Sequence, residues 1–384
     1  MTIAAPTDPV ARARALRGLV ESEAARSEEQ RTMPGTVVDA LADAGLFWVM
    51  VPHELGGAEA DTRTAIEVFE ELAYADGSTG WSLMANATST CFASIYLEDA
   101  ATRTLFPNDA PGIIAGMFGP IGAGRREGDA LVVDGDYRFG SGCHHATWFG
   151  AGFMEQRDGE PVTLESGMPA MRVAFIPREQ VELRDGWHVL GLQGTGSFDY
   201  AVRSQSVDPD FTFALLEAEP KRGGGVYRIG LFGITAAGHA GFALGVGRRA
   251  LDEVLDLARR KQRLGGDPIA EQQLFLHDFA MHDAAMRAAR SFTYEAFEQA
   301  EFTAIAEGAP TPVEAQRMRQ ATTYATRVAA DAARFAYTWS GSDGLREPSI
   351  IGRCFRDISA GTQHLYVDNN TLTAYSSTLL LFGD

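Results

Sequence analysis

Leu131-Val132-Val133-Asp134-Gly135-Asp136-Tyr137-Arg138-Phe139-Gly140-Ser141-Gly142-Cys143-His144-His145-Ala146-Thr147-Trp148 is the stretch on which the reading of this chain turns. Its first half alternates as a strand does, and Asp134-Gly135 predicts a turn within it. Its second half brings a hydroxyl and backbone amides out of the strand between two glycines, with the rings of Phe139 and Trp148 at the ends. That arrangement suits the edge of a flat, hydrogen-bonding cofactor better than it suits a phosphate or a metal ion.

The chain on either side is helical. Upstream, residues 37–46 carry apolar side chains three and four apart and reach Gly45 where a helix would stop. Residues 64–75 repeat the spacing, and Asp76-Gly77-Ser78 offers caps for a helix starting near Thr79. From Ile113 to Asp210 glycine becomes frequent and short β-type runs appear, at residues 113–118, 170–176 and 200–202. They predict a small β-domain of roughly 7 strands. Downstream, residues 236–262, 270–307 and 312–340 predict long antiparallel helices, with a last helix over 351–381. The expected class is mostly α with a central β-domain: a helical domain over 1–112, a small β-sandwich or barrel over 113–215, and a four-helix bundle over 216–384.

Composition bounds the function. The 384 residues are 45% hydrophobic and 22% charged, which is the balance of a globular protein with a large core. A net charge of −18 argues against a nucleic-acid partner, because phosphate binding needs clustered Lys and Arg. Cys91, Cys143 and Cys354 are far apart, with no metal-type spacing, and predict a reducing compartment. The first residues have no apolar signal core, and no window holds an uninterrupted membrane-length apolar run. The expectation is a cytoplasmic protein without membrane or nucleic-acid partners.

Several chemistries fall away. The glycines at 119–124 and 191–196 are in the wrong order for a dinucleotide fingerprint, and there is no Walker A sequence. No Glu-x-x-His pair exists to hold two irons in a bundle, and His277 and His282 do not share a helix face, so no metal site is expected. Ser141 lacks the spacing of a nucleophile elbow.

What remains resembles a family. Gly45-Leu46, Val51-Pro52 and Gly56-Gly57 are similar to the N-terminal signature of the acyl-CoA dehydrogenase fold, as is Glu70-Glu71-Leu72-Ala73 leading to Asp76-Gly77-Ser78-Thr79-Gly80-Trp81. Phe139-Gly140-Ser141-Gly142 falls where those flavoproteins set a strand end against the isoalloxazine. Arg263, Pro268-Ile269 and Gln273 resemble a helix that reaches the cofactor of a neighbouring subunit, and Arg356-Asp357 resembles the Arg-Asp of the last helices. The dehydrogenases of this fold need a carboxylate base in one of two places. Here Ala360 precedes Gly361-Thr362 in one, and Lys221 to Leu251 contains no Asp or Glu in the other.

A second branch, the two-component flavin-dependent monooxygenases, resembles the chain in Ser141-Gly142, His145-Ala146 and Trp148, in residues 185–197, and in His364 after the Arg-Asp pair. The resemblance implies reduced FMN or FAD, O2, a C4a-hydroperoxide, and hydroxylation of an aromatic or other electron-rich small molecule. It implies a separate NAD(P)H:flavin reductase and a homotetramer. Ser141 is then expected to face flavin N5, with the Gly142 and Cys143 amides nearby and Phe139, Trp148, Arg263 and Gln273 as further cofactor contacts. His364 is expected to take the substrate proton, and Trp81, Asn86, Thr88 and His145 to touch substrate. An acyl-CoA dehydrogenase with a displaced base, or a flavin-binding homologue without catalysis, are the alternatives.

Overall fold

A computed structural model describes residues 8–108, 110–262 and 266–383. The N-terminal helices are α1 (Pro9–Gln30), α2 (Gly35–Asp43), α3 (Thr62–Ala75), α4 (Gly77–Tyr96) and α5 (Asp99–Leu105). Two aspartates set the α3 and α4 starts: Asp61 accepts from the Thr64 amide at 2.7 Å, and Asp76 accepts from the Thr79 amide at 2.8 Å. Short polar caps of this kind satisfy amides that have no partner inside the helix.

Eight strands follow: β1 (Ile114–Glu127), β2 (Ala130–Gly140), β3 (Trp148–Arg157), β4 (Glu160–Pro161), β5 (Met171–Pro177), β6 (Glu182–Arg184), β7 (Phe198–Val207) and β8 (Thr212–Ala214). They make one mixed sheet in the order β6-β7-β2-β1-β3-β5-β8, with β4 beside β3. Only β1 and β3 run parallel; the other pairs are antiparallel. Phe149, Phe153, Tyr137 and Tyr200 fill its inner face.

The expected turn at Asp134-Gly135 does not form. The β1–β2 hairpin turns at Gly128-Asp129, and β2 runs straight through Asp134-Gly135 with a register shift against β7. Asp134 accepts the Ser204 amide at 2.8 Å across the sheet, so cross-strand pairing overrides the local turn preference of Asp-Gly and leaves a bulge.

The C-terminal half contains α6 (Gly230–Arg260), α7 (Gln273–Glu307), α8 (Pro312–Ser340), α9 (Ser342–Leu345), α10 (Ile350–Gly361) and α11 (Asn369–Phe382). Thr311 and Glu314 form a capping box at the start of α8, with Pro312 in its first turn. α6 is long and apolar enough to cross a membrane by length and composition, yet 78% of its apolar window is buried inside the protein. It lies between α3 and α8. A Cβ on Gly241 would meet the Ile66 carbonyl at 2.7 Å, and one on Gly247 would meet Ala329 at 2.8 Å. This close approach gives the acid-free stretch of α6 a packing reason: a carboxylate there would be buried without a partner.

The expected single last helix is two. It breaks between Gly361 and Asn369, where Asp368 caps α11 and His364 caps a short 3-10 turn over Leu365–Val367. His364 is therefore in a connection, not within a helix.

Candidate active site

Trp81 on α4 is the hub. Its indole Nε1 donates to Ser141 Oγ at 3.2 Å. Around the same ring, at near-perpendicular angles, stand Phe242 (5.0 Å between centroids), His239 (5.1 Å) and His364 (5.7 Å). One side chain thus joins the end of β2, the middle of α6 and the α10–α11 connection. A Cβ on Gly361 would meet Phe242 at 2.6 Å and Trp81 at 3.4 Å, so a glycine there keeps α10 close against the aromatic wall.

Ser141 is buried just beyond β2. Its Oγ is 2.7 Å from Ser197 Oγ, which is 2.7 Å from Thr195 Oγ1, and Thr195 donates to the Leu192 carbonyl at 2.8 Å. The turn that carries Ser141 is held from behind by Asn86. Its Nδ2 donates to the carbonyls of Ile114 (3.0 Å) and Ser141 (3.1 Å), and its Oδ1 accepts from His145 Nε2 at 2.9 Å. Gly142 has φ +72°, and a Cβ on it would collide with the Asn86 side chain.

These contacts correct several sequence expectations. Asn86 is occupied with His145 Nε2 and with the turn, His145 Nδ1 is buried without a partner, and burial, helped by His144, pushes the His145 imidazole down to about 4. Thr88 donates back to Met84 O at 2.8 Å within its own helix. The amide of Gly142 donates to Thr195 O and that of Cys143 to Gly140 O, so neither is left for a cofactor, and the Cys143 thiol points to Gly196 O inside the sheet core. Trp148 stacks on Phe211 at 5.7 Å and walls the sheet rather than the Ser141 turn. Gln273 stands exposed at the first residue of α7, and Arg263 lies outside the described residues. Of the predicted residues, the fold gathers Ser141, Trp81 and His364.

His239 was not among them. It is 3% exposed, its ring centroid is 4.3 Å from that of His364, and Tyr366 stacks on both imidazoles. Among the described residues neither of its ring nitrogens has a hydrogen-bond partner. The sequence did carry a signal: His239 is a lone imidazole in an apolar, acid-free helix. Burial pushes His364 down to about 4 and His239 well below its ordinary value, the latter also repelled by His364. Both are neutral near pH 7. His364 Nδ1 accepts the Tyr366 amide at 3.4 Å, which puts the proton of the neutral ring on Nε2.

Arg356-Asp357 braces the site from outside. Arg356 bonds Glu28 at 2.6 Å, tying α10 to α1, and Asp357 accepts the Leu192 amide at 2.6 Å. Burial, with Asp76 nearby, raises the Asp357 carboxyl to about 8. This anchor fixes the segment that delivers Thr195 and Ser197.

The residues present fit a flavin. Phe139 has φ +64°, a costly conformation for an aromatic residue, and its ring is 58% exposed beside the edge of Trp187. An open aromatic wall next to a buried hydroxyl is what a flat, hydrogen-bonding ring system requires.

Comparison with known proteins agrees. Residues 11–101 match the acyl-CoA dehydrogenase N-terminal domain and residues 237–369 match its C-terminal domain. An indole-3-acetate monooxygenase of Pseudomonas putida is 30% identical over 99% of this chain and 96% of its own length. The chain belongs to the flavin-dependent monooxygenases of the acyl-CoA dehydrogenase fold. It is the oxygenase component of a two-component system. Solved structures share the fold closely: 3-HSA hydroxylase from Rhodococcus sp. RHA1 superimposes with a TM-score of 0.89 at 23% identity, covering 97% of this chain and 96% of that one. The butyryl-CoA dehydrogenase of Megasphaera elsdenii superimposes with a TM-score of 0.80 at 16% identity, covering 99% of this chain and 100% of that one, so the fold alone does not separate the two branches.

Proposed function

We propose that this protein hydroxylates a small aromatic molecule carrying an acidic ring O–H or N–H, using O2 and reduced FMN or FAD. The observation that carries this is the convergence on Trp81: Ser141 hydrogen-bonds its indole nitrogen while His364 and His239 face its ring. Ser141 and the Phe139 wall hold the flavin on the sheet side, and Trp81, Phe242 and the two imidazoles hold the substrate ring on the helix side. Bound reduced flavin supplies the activation of O2. The monooxygenases of indole-3-acetate among the relatives make an indole with an acidic side chain a reasonable first substrate.

The imidazoles handle the substrate proton. His364 Nε2–H is a donor, and His239 has both ring nitrogens unpartnered, one of them a lone pair. A base at about 4 does not ionise a phenol of ordinary pKa near 10, because about 6 units is about 8 kcal/mol. His239, which has the free lone pair, instead holds the proton in a hydrogen bond and accepts it as the ring is oxygenated, with His364 Nε2–H donating beside it. The aromatic walls exclude water that would otherwise compete. Gln273, exposed at the first residue of α7, is the described residue from which a neighbouring subunit's cofactor would be reached within a homotetramer.

Reduced flavin comes from a separate reductase that uses NAD(P)H. The test is to supply indole-3-acetate, O2 and FAD or FMN with NADH alone, then with chemically reduced flavin. Product only in the second case is expected. Product from NADH without a reductase, or anaerobic bleaching of bound FAD by an acyl-CoA, would overturn the assignment.

A further inference from the structure

Arg319 on α8 is a half-buried cation set against the aromatic wall without a counter-charge. Its guanidinium carbon lies 5.8 Å from the Tyr366 ring centroid and 5.6 Å from that of Phe232. Its Nε is buried without a hydrogen-bond partner, and among the described residues no carboxylate pairs with it. The buried and half-buried arginines of α6 and α10 differ: Arg248, Arg249, Arg353 and Arg356 each pair with a carboxylate. A guanidinium drawn partly out of water recovers the lost hydration only when an anion meets it. The chain has 51 Asp and Glu, yet the stretch from Lys221 to Leu251, which carries Phe232, holds none of them.

The wall runs continuously from this cation to the imidazoles. Phe232, Thr235 and His239 share one face of α6, three and four residues apart, and Tyr366 packs along them. Tyr366 stacks on the rings of His239 and His364, and its hydroxyl feels the Arg319 charge: burial raises the phenol, while Thr235 and Arg319 pull the other way. From His239 back to Phe232 the helix rises about 10 Å. An aromatic ring at Trp81 and the imidazoles, with a carboxylate on a one-carbon arm, spans a comparable length. Phe232 is 47% exposed and Leu365, beside Tyr366, is 62% exposed, so this end of the wall meets solvent. We propose that Arg319 binds the carboxylate of the substrate, which makes the substrate an aromatic acid of the arylacetate class. This rests on the reading above that the substrate ring lies against Trp81 and the imidazoles. The planar fork of a guanidinium matches a carboxylate with two parallel hydrogen bonds, and the rings of Phe232 and Tyr366 hold that fork in place.

The experiment measures binding of indole-3-acetate, phenylacetate and 4-hydroxyphenylacetate, each beside its neutral amide, by calorimetry. The protein is loaded anaerobically with reduced FAD or FMN, so no oxygenation is needed. Wild type should bind at least one acid roughly 10–100-fold more tightly than its amide, the scale of charge-assisted hydrogen bonds. Arg319→Met keeps the length and loses the charge, and should erase that margin while leaving the amide affinity unchanged. Arg319→Lys should keep part of the margin. In turnover, the KM for the preferred acid should rise in Arg319→Met by the same factor, with kcat unchanged. Arg334→Met removes an exposed charge that pairs with Asp331 on the same helix, and should change neither quantity. Equal affinity of wild type for every acid and its amide overturns the anchor, and hydroxylation of a neutral indole or phenol would then leave the oxygenase reading standing. Loss of acid and amide binding together, or a changed oligomeric state, in Arg319→Met assigns the residue to packing and also overturns the anchor. Failure of every acid and amide to bind wild type overturns the placement of the ring at Trp81, and the anchor with it.

Discussion

His364 is held as a neutral imidazole, and the cost of charging it is measurable. Its ring is packed among Trp81, His239 and Tyr366, and burial moves its titration from 6.5 to about 4. At 1.36 kcal/mol per unit, protonating it in the folded protein costs about 3 kcal/mol more than in the unfolded chain. The sign follows from proton binding: between pH 6.5 and about 4 the unfolded state takes up the proton and the folded state does not. The stabilisation is complete above 6.5 and is lost as pH falls towards 4, and by pH 5 about 2 kcal/mol has gone. Denaturant unfolding at pH 7.5 and pH 5 should therefore show wild type losing about 2 kcal/mol more than His364→Asn, which has no imidazole to charge. Subtracting the variant removes the other titrating groups, including His145 and the oppositely shifted Asp357. An imidazole titration by NMR gives the same quantity directly. A midpoint near 6.5, with wild type and variant losing stability in parallel, would refute the buried, neutral His364.

Other outcomes follow from the same contacts. His239→Phe keeps an aromatic ring in the wall and removes the imidazole, so it should slow substrate hydroxylation roughly 10–100-fold, as read by product formation, while reduced flavin still binds. Asn86→Ala takes away the bonds to Ile114, Ser141 and His145 and should cost about 3 kcal/mol of stability in denaturant, with weaker binding of reduced flavin. Asp357 has a raised pKa, so its contribution to stability is full below the ordinary aspartate range and is lost as pH rises through about 8. Wild type should lose stability between pH 5 and 8 relative to Asp357→Asn, and parallel curves would contradict the raised value.

The helices and their order were legible because apolar spacing reports which face is buried, and Asp76 marks the start of α4 in the sequence itself. Ser141, Trp81 and His364 could be picked out, but not why they meet: that depends on α4, the end of β2 and the α10–α11 connection arriving at one indole. Asn86, Thr88 and His145 have polar groups suited to a ligand, and only the fold shows Asn86 and His145 Nε2 turned to each other behind the Ser141 turn and Thr88 turned to its own helix. Asp134-Gly135 failed for a related reason, since its turn preference is local and the pairing of β2 with β7 is not. His239 was visible as an isolated imidazole, yet its meaning required His364 to stand 4.3 Å away.

The central claim is that one oxygen atom of O2 enters an aromatic substrate at the Trp81–His364 wall, driven by reduced flavin. Turnover of indole-3-acetate under 18O2 with chemically reduced FAD or FMN, followed by mass spectrometry, tests it most directly. The expected result is a product two mass units heavier than the 16O2 product, at a yield that falls at least tenfold in His364→Ala while reduced flavin still binds. Reduced flavin oxidised at its rate in buffer, with no label in this or any related aromatic acid, phenol or indole, would contradict the account.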